Sequence, residues 1–445
     1  MTDRRRVVVT GLGVATPIGI GMEPFWDALL DKRCGVRRIA SFDPSAFPVQ
    51  IAGELPSFQL SDYIPKSYRK SIKVMSRDIM IAVICAYHAA KDAGLNTKCL
   101  VERGEASGVS NVDPARFGAN IGAGLVCAEL DELGGALVTA VDGDKFSIAK
   151  WGGEGMSNLT PLWLLKFLPN MLACHVTIVH DAQAPSNTIT CGEASSHLAI
   201  GEAFRTISRG AADVCICGGA ESRTSPMAVV RPLLAERLNR TANDHPERGC
   251  MPFSAERRGG VVAEGGGLLI LEELGHAKAR GARIYAEVTG FGASTSAYHW
   301  AKSDPTGRAV QLAIQKALKD ARVQPGDVQL VNPFGTGMVD FDAGEMAGFA
   351  AALGDSLPRA GAFTTRGSLG SCGAGAGAID VAACALAMHR NTIPPSLNTQ
   401  PADPASRFRF ATGDPLDGRA THAVSVSYAP AGGQHAALVL RRYQD

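Results

Sequence analysis

Five residues, Val9-Thr10-Gly11-Leu12-Gly13, return almost unchanged as Val288-Thr289-Gly290-Phe291-Gly292. Each copy closes an apolar, β-branched run. Each is followed by a loop and then a long stretch of helical spacing, 76–93 in the first half and 307–322 in the second. Later in each half comes a helix start made of small residues, GEASSH from Gly192 and GSCGAG from Gly370. A repeat in matched order constrains the chain to two similar α/β halves, 1–274 and 275–445. Segments 128–160 and 223–262 then read as insertions capping one face of the N-terminal half. Between these landmarks the pattern alternates. Residues 6–10 read as a buried strand ending in a tight turn at Gly11-Leu12-Gly13, and 117–121, 186–191 and 213–217 read as further strands. Between the last two, Ala199, Ala203 and Ile207 recur at spacing four in a helix over 194–209. Such β-α-β alternation predicts an α/β sheet protein.

Composition narrows the function classes. Of 445 residues 46% are hydrophobic and 20% charged, ample for a packed core and too apolar for a disordered chain. Lys plus Arg number 44 against 43 Asp plus Glu, so the basic excess expected of a nucleic-acid binder is missing. The one basic cluster, 4–6, reads as a solvated tail. No apolar run approaches the ~20 residues that span a bilayer, and the three valines after it are too short for a signal-peptide core. The eleven cysteines are scattered, and the Cys215-x-Cys217 pair has no second pair at metal-finger spacing. They read as buried thiols of a reducing compartment, in a cytoplasmic protein that needs no metal and no cofactor.

Four blocks are more specific: VVVTGLGVATPIG at 7–19, PSNTITCGEASSHLAIG at 185–201, AEGGGLLILEEL at 263–274 and NTIPPSLN at 391–398. In this order and spacing the chain strongly resembles the β-ketoacyl synthases, the acyl-carrier-protein-dependent branch of the thiolase-like fold. The resemblance implies a five-layer α-β-α-β-α architecture from two similar halves, usually dimeric. It also implies a site: a Cys at a strand-to-helix elbow, favoured as thiolate by the helix N-terminus, two His that polarise a malonyl thioester, and a Lys that orders the second His.

Carried over residue by residue, that site is altered. Counting eight from Pro185 and seven back from Ile200 both give Glu193 for the Cys position. A carboxylate forms no acyl thioester, so condensation is not expected. The alternative nucleophile, Cys191, lies two residues earlier, ~6–7 Å away along a strand, and reads otherwise as a buried strand thiol. The first His position, in TGFGASTSAYH, is His299, which reads equally as a working imidazole or a retained core polar group. The second, in Asn332-Pro333-Phe334-Gly335-Thr336, is Phe334, with the register held by the acidic pair Asp342 and Glu345. The Lys position is Arg366, always charged and demanding planar partners. A carboxylate at 193 and a guanidinium at 366 are expected to pair. The loop from Ser427 to Gly433, with Tyr428 and Pro430, occupies the place of the family's acyl-chain gate, and its Ala and Pro residues, Pro430 with its fixed φ above all, predict a stiffer gate.

Altered catalytic positions in intact scaffold motifs resemble the chain-length-factor subunits of type II polyketide synthases, partners of an active ketosynthase that commonly carry Gln where this chain has Glu193. The resemblance implies an acyl carrier protein and a Cys-containing ketosynthase as partners, or a second copy in a homodimer, and neither nucleic acid nor membrane. Three other readings stand beside it: an active synthase using Cys191, a malonyl-carrier-protein decarboxylase using Glu193 and His299, and an acyl-binding scaffold. An ionised Glu193 repels a malonyl carboxylate by ~1–4 kcal/mol at about 4 Å, which weighs against the decarboxylase.

Overall fold

In the computed structural model, which describes residues 4–444, the repeat is written into the sheet. The N-terminal half supplies strands β1 (Val7–Thr16), β2 (Phe117–Ala123), β3 (Ser186–Ile189), β4 (Val214–Ser222) and β5 (Glu264–Glu273). The C-terminal half supplies β6 (Ala286–Thr295), β7 (Val328–Asn332), β8 (Gly361–Ala362), β9 (His422–Tyr428) and β10 (Gln434–Arg441). The first half is ordered β1-β5-β4-β2-β3, with two antiparallel pairings and then two parallel ones. The second half is ordered β6-β10-β9-β7-β8, with the same pairing types in the same sequence. Val7 to Val9 pair antiparallel with Val288 to Ala286 and join the halves.

Helices α1 (Arg77–Asp92), α2 (Ser195–Ser208), α3 (Arg308–Ala321), α4 (Val339–Leu353) and α5 (Ala376–Arg390) complete the layers. Helix α1 packs only on strands of the first half, and α3 on strands of the second. The paired helices α2 and α5 touch strands of both and lie between them. The expected five-layer α-β-α-β-α architecture is present.

The repeated motif does not end in a turn. Strand β1 continues through Gly11-Leu12-Gly13 to Thr16, with a register shift between Val9 and Gly11, and β6 shifts at the matching place, between Val288 and Gly290. The glycines admit the outer helices. A Cβ on Gly11 would lie 2.3 Å from the Ala89 carbonyl oxygen of α1, and one on Gly290 2.3 Å from the Ala317 carbonyl oxygen of α3. What reads locally as turn chemistry is close helix-on-strand packing.

The basic cluster at 4–6 is not a solvated tail either. Arg4 pairs with Asp320 of α3 at 3.0 Å, Arg5 with Asp213 beside β4 at 2.6 Å, and Arg6 with Glu287 of β6 at 2.8 Å. All three acids lie more than 200 positions away in the chain, out of reach of any local reading. The eleven cysteines are all free thiols. Among the described residues no helix is long and apolar enough to cross a membrane.

Candidate active site

Strand β3 ends at Ile189, and the chain then turns sharply into α2 through a short 3₁₀ turn, Gly192–Ala194. Gly192 has φ +54, left-handed backbone that glycine adopts without strain. The second half repeats this elbow: Gly373 has φ +53 and opens the 3₁₀ turn Gly373–Gly375 ahead of α5. The first elbow carries Glu193, only 8% exposed. Its carboxylate takes a short hydrogen bond from Nη1 of Arg223, the residue just after β4. The same guanidinium donates from Nε and Nη2 to the two oxygens of Glu221, at 2.8 and 3.1 Å. Glu221 in turn accepts from the Ala374 amide of the second elbow at 2.6 Å. One cation thus joins both elbows. Burial opposes its charge, but the fields of Glu193 and Glu221 and its hydrogen bonds to them prevail and hold Arg223 above its ordinary pKa.

Arg366 is therefore not the partner of Glu193, contrary to the expectation from charge alone. Its Nη2 donates to Asp380 of α5 at 2.7 Å, and both side chains are sealed from solvent. Burial pushes the Asp380 carboxyl up, against the pull of Arg366 and Thr365. The Arg366 guanidinium lies over the Phe334 ring, 5.1 Å from its centroid. Asp380 sits fourteen residues from Arg366, on α5.

Phe334 is fixed from behind. Glu345, on α4, accepts from the Phe334 and Gly335 amides at 2.6 and 2.9 Å. Asp342, one turn earlier, accepts from the Thr336 and Gly337 amides at 2.6 and 3.1 Å. The acidic pair is a cradle for the 334–337 turn. In front, the Phe334 ring meets Tyr428 edge-on at 5.4 Å, and Tyr428 is stacked between Phe341 and His435. The loop after Tyr428 is tied by Arg237, whose Nη2 donates to the Pro430 carbonyl at 3.3 Å; just before it, in β9, Ser427 Oγ donates to the Glu193 carbonyl at 2.7 Å.

These groups enclose a cavity of about 60 Å³, lined by Glu193, Arg223, Arg237, Cys250, Phe334, Arg366, Ser371 and Pro430 with apolar neighbours such as Leu238 and Val262. That space suits an occupant of a few heavy atoms and is far below the ~300 Å³ of an ordinary ligand pocket. No lining residue is a histidine. His299 is exposed on a loop outside, its ring stacked on Trp300 and its Nδ1 accepting from the Ala301 amide at 3.0 Å, so it is neither a core polar group nor part of this cavity. Cys191 lies beyond the end of β3, half-buried, off the cavity wall, with its thiol pushed up by burial. It is not a strand residue. The cavity's one cysteine is Cys250, which sequence reading passed over; burial raises its thiol to about 12 and leaves it protonated and unreactive. Arg223, Arg237 and Ser371 were missed as well. The first two are among seven arginines of the segment 223–262 assigned as a capping insertion, and nothing in the sequence singles them out.

Models of two families cover most of the chain: the β-ketoacyl synthase N-terminal domain matches residues 4–277 and the C-terminal domain matches 285–400. The chain belongs to the β-ketoacyl synthase family. It is 32% identical over 442 residues to a polyketide β-ketoacyl synthase of Streptomyces halstedii, covering 98% of each chain. It is 30% identical over 444 residues to 3-oxoacyl-[acyl-carrier-protein] synthase 2 of Staphylococcus aureus, covering 100% of each. Among solved structures, the ishigamide ketosynthase/chain length factor superposes with a TM-score of 0.83 at 26% identity, over 99% of this chain and 100% of that one. In this member of the family the elbow after β3 carries a clamped carboxylate, Glu193.

Proposed function

We propose that this chain is a ketosynthase-fold subunit of fatty-acid or polyketide synthesis that does not condense by itself and acts as the chain-length-factor-like partner of a Cys-containing ketosynthase. One observation carries the reading: the elbow cavity holds Glu193 locked to Arg223, an aromatic ring at 334, and neither a reactive thiol nor an imidazole. Acyl transfer needs a nucleophile that can leave again and a donor for the thioester oxygen. Neither is there. The tied loop over Pro430 and the small cavity also leave no room for an acyl chain.

Three features favour a partner chain. Strand β3 is an outer strand of the sheet and its first residues are exposed, leaving backbone donors and acceptors open. Among the described residues, ten of the sixteen exposed large hydrophobics fall between Leu125 and Ile178, including Val138, Ile148 and Leu162. A structural neighbour is a ketosynthase/chain length factor. The test is acylation followed by intact mass, together with co-purification from the native host. No acyl adduct and a co-purifying Cys-containing ketosynthase are expected. A stable thioester on the isolated chain, above all on Cys191, would overturn the proposal.

A further inference from the structure

The wall of the Glu193 cavity has more donors than acceptors. Glu193 spends its carboxylate on Arg223, and Arg223 is shared with Glu221. Three other donors on the same wall find no acceptor among the described residues although they are buried: Nε of Arg237, Nε of Arg366 and Oγ of Ser371. Among the described residues Arg237 has no carboxylate within ion-pair distance; its side chain's one hydrogen-bond partner is the Pro430 carbonyl. A buried donor without an acceptor costs free energy that an incoming oxygen atom recovers. Leu238, Val262 and Phe334 are among the apolar residues that line the same cavity.

We propose that this cavity is a binding site for a short-chain carboxylate. The carboxylate end takes the hydrogens of Arg237 and Ser371, with Arg366 adding charge, and the short alkyl end lies on the apolar lining. Planar guanidinium donors suit a planar carboxylate, and the volume of about 60 Å³ limits the guest to a few heavy atoms. Arg223 quenches the resident Glu193, so a second carboxylate is not repelled; phosphate is bulkier, tetrahedral and has no apolar end for the apolar lining. Entry lies through Arg237 and Met338, which line both this cavity and a surface groove of about 540 Å³.

The assignment rests on the reading of the cavity as closed to acyl transfer. The experiment is thermal unfolding of the full chain titrated with sodium acetate at constant ionic strength, with chloride, acetamide and phosphate as comparisons, for wild type, Arg237→Gln and Ser371→Ala. Acetate is expected to raise Tm with the logarithm of 1 + [acetate]/Kd, by about 1–2 °C at tenfold excess over Kd, where chloride and acetamide do not. The Kd rises at least tenfold in Arg237→Gln, which changes a half-exposed residue, and less in Ser371→Ala. An acetate curve no different from chloride, one matched by acetamide, a response to phosphate alone, or wild-type curves in both variants would each overturn the site. An acyl adduct by intact mass sinks the closed-cavity reading itself, so the two failures are told apart.

Discussion

Arg223 is the residue on which the site turns. It faces two buried carboxylates, and removing a buried cation strands both, whereas removing one carboxylate leaves the cation its other partner. Arg223→Ala is therefore expected to cost ~3–5 kcal/mol, and Glu193→Gln clearly less, measured by urea unfolding. Equal costs would mean that Glu221 does not hold Arg223. Restoring the nucleophile is not enough either. In Glu193→Cys the thiol faces Phe334, which offers no donor, and the loss of one oxyanion donor alone typically costs ~10²–10³ in rate. Carrier-bound β-ketoacyl product by mass spectrometry should stay near background; turnover at an ordinary ketosynthase rate would show that Phe334 is not where an imidazole is needed. A third residue carries a pH signature. Asp78, on α1, is raised to about 7 by burial and by the nearby Glu221 and Glu264. Its folded pKa lies above the ordinary 3.8, so its contribution is complete below about pH 4 and is lost as pH rises through 7. Wild type should lose up to ~1.4 kcal/mol per pH unit relative to Asp78→Asn across that window, and parallel stability curves would exclude the effect. Of these residues the sequence exposes Glu193 and Phe334 through their place in motifs. Arg223 and Asp380 are invisible to it, because their partnerships arise only when separate elements pack.

At the scale of elements the repeat is the legible part. Val-Thr-Gly-x-Gly marks both halves because the same packing problem, an outer helix pressed on the central pair of strands, is solved twice. Its reading as a turn fails for a physical reason: glycine serves tight turns and close backbone approach alike, and only the partner helix tells them apart. Gly11→Ala and Gly290→Ala each force a Cβ to within 2.3 Å of a helix carbonyl. Both should destabilise the chain by at least ~1–3 kcal/mol, and by similar amounts. Differential scanning calorimetry checks this, and a neutral Gly290→Ala would break the equivalence of the halves. The cluster at 4–6 fails in the opposite sense. Three consecutive arginines look like a solvated charge run, yet each reaches an acid on a different element, and two of those acids lie in the other half.

At the scale of the molecule the two halves differ in what they leave uncovered. The C-terminal half ends its sheet in β8 and the short strand Arg409–Phe410, while the N-terminal half ends in the exposed β3. Beside it in sequence lies the segment from Leu125 to Ile178, whose Val138, Ile148 and Leu162 are 76%, 77% and 69% exposed. A chain that buries its core valines completely has no folding reason to leave these in water. They contribute almost nothing to the stability of the isolated chain, so their replacement separates folding from association. The triple change Val138→Ser, Ile148→Ser, Leu162→Ser should leave the unfolding midpoint within about 0.5 kcal/mol of wild type, the usual range for surface substitutions. It should also lower recovery of the co-expressed ketosynthase in pull-down, and shift the chain toward monomer in light scattering. Unchanged recovery with unchanged stability would move the partner surface elsewhere, and a large loss of stability would show that these side chains pack within the chain after all.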